Sequence, residues 1–90
     1  MAYQVEVTKR VRKEIARVPR DVQARIVVAV RALATDPRPA GCRAVKGAES
    51  GTYRVRVGDY RVVYVVLDDE RVVVLARVAR RNESTYRGLG

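Results

Sequence analysis

The chain has 90 residues, enough for one domain spanning 1–90, and at that size folding buries roughly two thirds of the surface the unfolded chain exposes. With 48% hydrophobic and 32% charged residues it lies in the globular range, outside the polar compositions that stay disordered. A formal net charge of +9 calls for a polyanionic partner, and the lack of histidine excludes Ser-His-Asp and Cys-His hydrolases.

The N-terminus, Met-Ala-Tyr-Gln-Val-Glu, lacks the apolar run of a signal peptide, so a cytoplasmic location is expected. Residues 3–7 alternate tyrosine and valine with polar residues and predict a half-buried strand. Thr8 offers a helix N-cap, and Val11, Ile15 and Val18 then fall on one helical face. Lys9, Arg10, Arg12, Lys13 and Arg17 surround that face. Pro19 interrupts the pattern; Val22, Ile26, Ala29, Val30 and Leu33 rebuild it in a second helix that ends before Asp36-Pro37-Arg38-Pro39. Two helices so linked form a hairpin. Residues 36–51, rich in Pro, Gly and Ala, predict one long irregular connection lying over the sheet edge. Cys42, the single cysteine, has no internal disulfide partner.

The second half changes period. Residues 52–57, 60–67 and 71–78 are rich in valine and tyrosine and predict an antiparallel meander, broken at Gly58-Asp59 and at Asp68-Asp69-Glu70. The longest uncharged apolar stretch, residues 62–67, is far short of the roughly 20 residues that cross a bilayer, so no membrane partner is expected. Residues 79–90 read as a short basic tail. The expected fold is therefore α+β: an N-terminal strand, an α-helical hairpin, then a three-stranded meander with the helices packed on one sheet face.

Gly58-Asp59 suits a two-residue turn with glycine first. That turn sets Val57 opposite Tyr60, Arg56 opposite Arg61, Val55 opposite Val62, Arg54 opposite Val63 and Tyr53 opposite Tyr64. Tyr53, Val55, Val57, Tyr60, Val62 and Tyr64 then face the helices, and Arg54, Arg56 and Arg61 share the other face. Like charges opposed across a strand pair cost up to about 1 kcal/mol, which disfavours the arrangement unless an anion sits there. A single arginine on such a face reads as a solvated stem over valine; three together suit phosphate, which each guanidinium binds in a planar, bidentate way. Farther on, a three-residue turn at 68–70 would put Arg77 beside Arg61, and a two-residue turn would put it on the other face.

Asp36-Pro37-Arg38-Pro39, Val45-Lys46-Gly47, the hairpin Tyr53-Arg54-Val55-Arg56-Val57-Gly58-Asp59-Tyr60-Arg61-Val62-Val63-Tyr64, and Arg80-Arg81 with Tyr86 resemble the RelE branch of the RelE/ParE toxin superfamily. The resemblance covers nearly the whole chain and implies the same order of strand, two helices and three strands. It implies the toxin of a type II toxin–antitoxin system, an endoribonuclease that enters the ribosomal A site and cleaves mRNA until a cognate acidic antitoxin restrains it. Carried over by position, Arg54, Arg56, Arg61, Arg81 and Tyr86 act on the scissile phosphate, and Lys46 contacts RNA. Arg77, Arg80 and Arg87 are further candidate RNA contacts. No metal or cofactor is implied.

Attack of a 2′-OH on its own phosphate needs an orienting cage, a stabiliser for developing charge, and proton transfers at both ends. Arginines supply the first two. Their pKa above about 12 bars them from the third, and tyrosine, near 10, needs its pKa lowered to act as a base. Where the family often carries lysines at the first two hairpin positions, this chain has Arg54 and Arg56, which removes a lysine base. Two other readings stand beside it: a ParE-like inhibitor of DNA gyrase, which uses the same fold and needs no phosphate cage, and an RNA-binding protein without catalysis, which fits the charge and makes Tyr86 dispensable.

Overall fold

The computed structural model describes residues 2–80, so Arg81, Tyr86 and Arg87 lie outside the described residues. Strand β1 (Gln4–Val7) leads into helices α1 (Lys9–Ala16) and α2 (Arg20–Thr35), followed by β2 (Arg43–Ala44), β3 (Thr52–Val57), β4 (Tyr60–Leu67) and β5 (Val72–Arg80). The strands form one five-stranded sheet in the order β1-β5-β4-β3-β2. The meander runs antiparallel as expected, and β1 returns to pair parallel with β5, Gln4 against Val72 through Val7 against Leu75. The connection over 36–51 does reach the sheet edge, where it is not wholly irregular: Arg43 and Ala44 pair with Arg54 and Tyr53. None of the helices is long and apolar enough to cross a membrane, among the described residues.

Thr8 caps α1 as its sequence position implies. Its hydroxyl accepts from the Val11 amide at 3.2 Å and donates to the Leu75 carbonyl at 3.3 Å, so one side chain starts the helix and ties it to β5. Pro19 starts α2 without a side-chain cap, and Gln23 serves the other end of the link. Its amide nitrogen donates to the carbonyls of Ile15 and Val18 at 2.9 and 2.8 Å, tying α2 to the link and adding a second donor at Ile15, whose carbonyl also accepts from the Val18 amide at 3.0 Å. The helical faces read from sequence meet the sheet. Val11, Val18, Ile26 and Leu33 are buried against Val57, Val62, Tyr64, Val66, Val73, Leu75 and Val78.

Neither turn length weighed from the sequence forms before β5, although Arg77 does reach the face of Arg61. The turn holds four residues, with Leu67 opposite Val72, and a bulge between Leu75 and Arg77 shifts the pairing so that Arg77 opposes Val63. Without the extra residue Arg77 would enter the core and Val78 would leave it. The bulge exchanges them. The strand also runs on to Arg80, so the tail begins later than the composition indicates.

Beyond Leu75, β5 has no β1 residue to pair with. Glu14 of α1 covers this exposed edge: its Oε1 accepts from the Val78 amide at 2.8 Å, and its Oε2 lies 3.6 Å from Arg77 Nε. Replacing Glu14 with alanine strips a partly buried amide of its acceptor, which costs about 1–3 kcal/mol. Urea unfolding should register that loss, and amide exchange at Val78 should quicken more than at Val73. Equal stability and exchange in Glu14→Ala would show that the edge needs no such latch.

A second polar cluster fastens the segment after α2. Arg38 grips Asp68 through two nitrogens, at 3.2 and 2.6 Å, and donates from Nε to the Tyr53 hydroxyl at 3.1 Å. Tyr3 donates to the same Asp68 at 2.7 Å. The Arg38 bonds, then that of Tyr3, hold the Asp68 carboxyl below its usual range, while the bond to Asp68 pushes the Tyr3 phenol up. The cluster's contribution is therefore complete above the ordinary carboxylate value of about 4 and fades as pH falls through the lowered value of Asp68. Because these groups are exposed, the effect is small. Acid titration followed by tyrosine near-ultraviolet circular dichroism should be flatter in Asp68→Asn than in the parent; parallel curves would contradict this.

Candidate functional site

The hairpin of β3 and β4 forms in the register its turn dictates. Val57 opposes Tyr60, Arg56 opposes Arg61, Val55 opposes Val62, Arg54 opposes Val63 and Tyr53 opposes Tyr64. Gly58 has φ +58°, the left-handed value that a first turn residue of this kind requires. A side chain there would also meet Arg25 Nη1 at 3.3 Å. Arg56 is pinned to the turn, donating from Nε to the Gly58 carbonyl at 2.9 Å.

Arg54, Arg56 and Arg61 share the face away from the helices, with the buried Val63 and Ala79 between them and Arg77 on the same side. Arg43 joins them, since β2 sets it directly opposite Arg54. Two like-charged cross-strand pairs, Arg43 with Arg54 and Arg56 with Arg61, thus stand side by side. With Gly41 these four arginines line a recess of about 230 Å³ that no acidic side chain enters, among the described residues. Such a recess suits a phosphate group: planar forks converge on it, and an anion removes the repulsion between them.

The remaining expected site residues fall elsewhere. Lys46 lies beyond β2 and lines an adjoining recess with Arg43 and Arg54. Arg77 has its side chain turned to Glu14 at the edge of β5, one-fifth exposed. Arg80 sits on the helix-side face, its guanidinium 5.8 Å from the centre of the Tyr60 ring, a cation–π arrangement. Arg77 and Arg80 both line a separate recess beside Arg17 and Tyr60. Arg43 carries no mark in the sequence beyond its alternation with Val45, the start of a strand too short to recognise.

Comparison with known proteins agrees with this fold. The model of the ParE toxin family of type II toxin–antitoxin systems matches residues 5–85. RelE1 of Methanocaldococcus jannaschii is 34% identical over 90 residues, covering 97% of this chain and 98% of that protein. Among solved structures, a chain of the archaeal RelE–RelB complex from Pyrococcus horikoshii superposes with a TM-score of 0.81 at 27% identity, covering 93% of this chain and 100% of that one. A chain of the toxin–antitoxin complex RelBE2 from Mycobacterium tuberculosis gives 0.79 at 26% identity, covering 92% and 95%. The family match along most of the sequence, the RelE likeness in sequence and in fold, and the arginine hairpin coincide: the chain belongs to the RelE/ParE toxin superfamily and is a RelE-like toxin of a type II toxin–antitoxin system.

Proposed function

We propose that this toxin is a ribosome-dependent endoribonuclease that cleaves mRNA at A-site codons without a metal, and that a cognate acidic antitoxin restrains it. The reading rests above all on the recess of Arg43, Arg54, Arg56 and Arg61, an anion cage whose like-charged pairs favour occupancy. In the reaction the 2′-oxygen attacks the adjacent phosphorus, the bond to the 5′-oxygen breaks, and a 2′,3′-cyclic phosphate and a 5′-hydroxyl result. Arg54, Arg56 and Arg61 hold the phosphate and neutralise the charge that builds on its oxygens. Arg81, next in the chain after β5, adds a further positive charge to that neutralisation, and Tyr86 takes part in proton transfer. Lys46, Arg77, Arg80 and Arg87 contact RNA more peripherally.

The antitoxin partner follows from the RelE–RelB complexes of similar fold and from the net charge of +9, which an acidic chain complements. Such a chain silences the toxin by covering the arginine face or by displacing the C-terminal tail. A gyrase inhibitor is the second reading, favoured by the ParE family match.

Induction of the toxin without antitoxin, with 5′ ends of mRNA mapped on translating ribosomes, separates the two. Growth arrest with new 5′-hydroxyl ends inside A-site codons supports the nuclease; arrest with intact message and halted DNA replication supports gyrase as the target.

A further inference from the structure

The arginine cage is one of two recesses that share Arg43 and Arg54 in their lining. The second, of about 560 Å³, runs along β2 and is lined by Arg43, Val45, Lys46 and Arg54 among others, so Arg43 and Arg54 form the wall between the two. Size divides their roles. At about 230 Å³ the cage is smaller than the roughly 300–1,000 Å³ of small-molecule sites and admits a phosphate group, whereas its neighbour falls within that range. No acidic side chain lines either one, among the described residues.

The chain is built to present this wall. Tyr64 donates to the Pro37 carbonyl at 2.8 Å, the Cys42 amide bonds to the Pro39 carbonyl at 3.0 Å, and Gly41 takes φ +92° to turn the backbone into β2. Beyond β2, the Val45 amide bonds to the Thr52 carbonyl at 3.0 Å, and the Val45 side chain is buried. Arg43 is thereby fixed opposite Arg54 at the cost of repulsion between them, and Lys46 follows three residues on.

Resting on the nuclease reading, we propose that the larger recess is a second nucleotide subsite, in which Arg43 and Lys46 hold the phosphodiester next to the scissile one. RNA is favoured over a protein segment as occupant because the recess continues the phosphate cage through shared arginines. A chain laid along β2 meets cations in sequence: Lys46, then Arg43 with Arg54, then Arg56 with Arg61.

The test uses the full-length toxin freed of antitoxin and a short fluorescent RNA whose attacking 2′-hydroxyl is replaced by hydrogen. A neutral methylphosphonate is placed at each linkage in turn. Arg43→Ala should weaken binding of the unmodified RNA about 10-fold and lower the slope of log affinity against log salt by about 0.7. The methylphosphonate next to the scissile linkage should weaken wild type about as much and add little to Arg43→Ala, because both remove the same contact. Arg43→Lys should keep most of the salt slope.

Unchanged affinity in Arg43→Ala, an equal further loss at every linkage, or a wild type that binds no RNA overturns the subsite. So does a defect confined to antitoxin binding, which would assign the recess to a protein segment. The two proposals fail separately. Intact cleavage by wild type with unchanged RNA affinity in Arg43→Ala leaves the nuclease to Arg54, Arg56 and Arg61 and removes the subsite; coupled binding without cleavage on ribosomes does the reverse.

Discussion

Replacing Arg61 with alanine is expected to slow cleavage of ribosome-bound message by about 10²- to 10³-fold, the usual effect of removing one fixed donor from a developing anion. Arg61 stands opposite Arg56 and lines the cage with Arg43 and Arg54, so its loss opens one side of the phosphate site. Stability should change little. Removing one charge from a like-charged cross-strand pair relieves up to about 1 kcal/mol of repulsion, which offsets the loss of the side chain's other contacts, so the melting temperature should not fall by more than a few degrees. Arg61→Lys tests whether charge or shape matters: it keeps the cation and loses the two-pronged donor, and its rate should lie between the others. Single-turnover assays with saturating toxin give these rates directly. Wild-type speed in Arg61→Ala would remove the residue from the site.

The largest stability effect is expected at Tyr64. Its side chain is fully buried, its ring stacks on Tyr53 at a centroid distance of 6.1 Å, and its hydroxyl donates to the Pro37 carbonyl at 2.8 Å. Burial pushes the phenol's pKa up, so it remains a neutral donor at any working pH. Tyr64→Ala removes the ring from the centre of the core and should cost about 3–5 kcal/mol. A chain of 90 residues has a total stability of only about 5–13 kcal/mol, so much of the fold's margin disappears. Tyr64→Phe keeps the ring and leaves a buried carbonyl without its donor, at about 1–3 kcal/mol. Urea denaturation of both variants should place phenylalanine between alanine and wild type. If phenylalanine is as damaging as alanine, the bond to Pro37, and with it the segment that delivers Arg43, outweighs the packing of the ring.

The hairpin was legible because two independent constraints agree. Gly58-Asp59 permits a tight turn, and the alternation of valine or tyrosine with arginine permits one register that keeps the charges out of the core. The same alternation was obscured in β5 by the bulge. The inward residues there, Val73, Leu75 and Val78, are spaced two and then three apart, and that break in period is the trace a one-residue bulge leaves. It decides the fate of two arginines, since it turns Arg77 out of the core and sets Arg80 beside Tyr60.

Other features depend on partners remote in sequence. Glu14 reads as one polar position on an amphipathic helix until β5 runs past the end of β1 and leaves the Val78 amide to be satisfied. Arg38 and Asp68 meet across 30 positions. Arg43 belongs to a two-residue strand that exists because β3 offers it an edge. Such short or single contacts carry no periodicity of their own, and periodicity is what makes an element readable.

The arginine cage is expected to cut message on the ribosome. Purified toxin should be added to ribosomes programmed with a defined message, and the products sequenced at their 5′ ends, in parallel with Arg61→Ala. Wild type should cleave within the A-site codon, leaving 5′-hydroxyl ends, and a folded Arg61→Ala should lose about 10²-fold or more of that activity. Message left intact by a folded, ribosome-exposed wild type, or cut equally well by Arg61→Ala, would contradict that expectation.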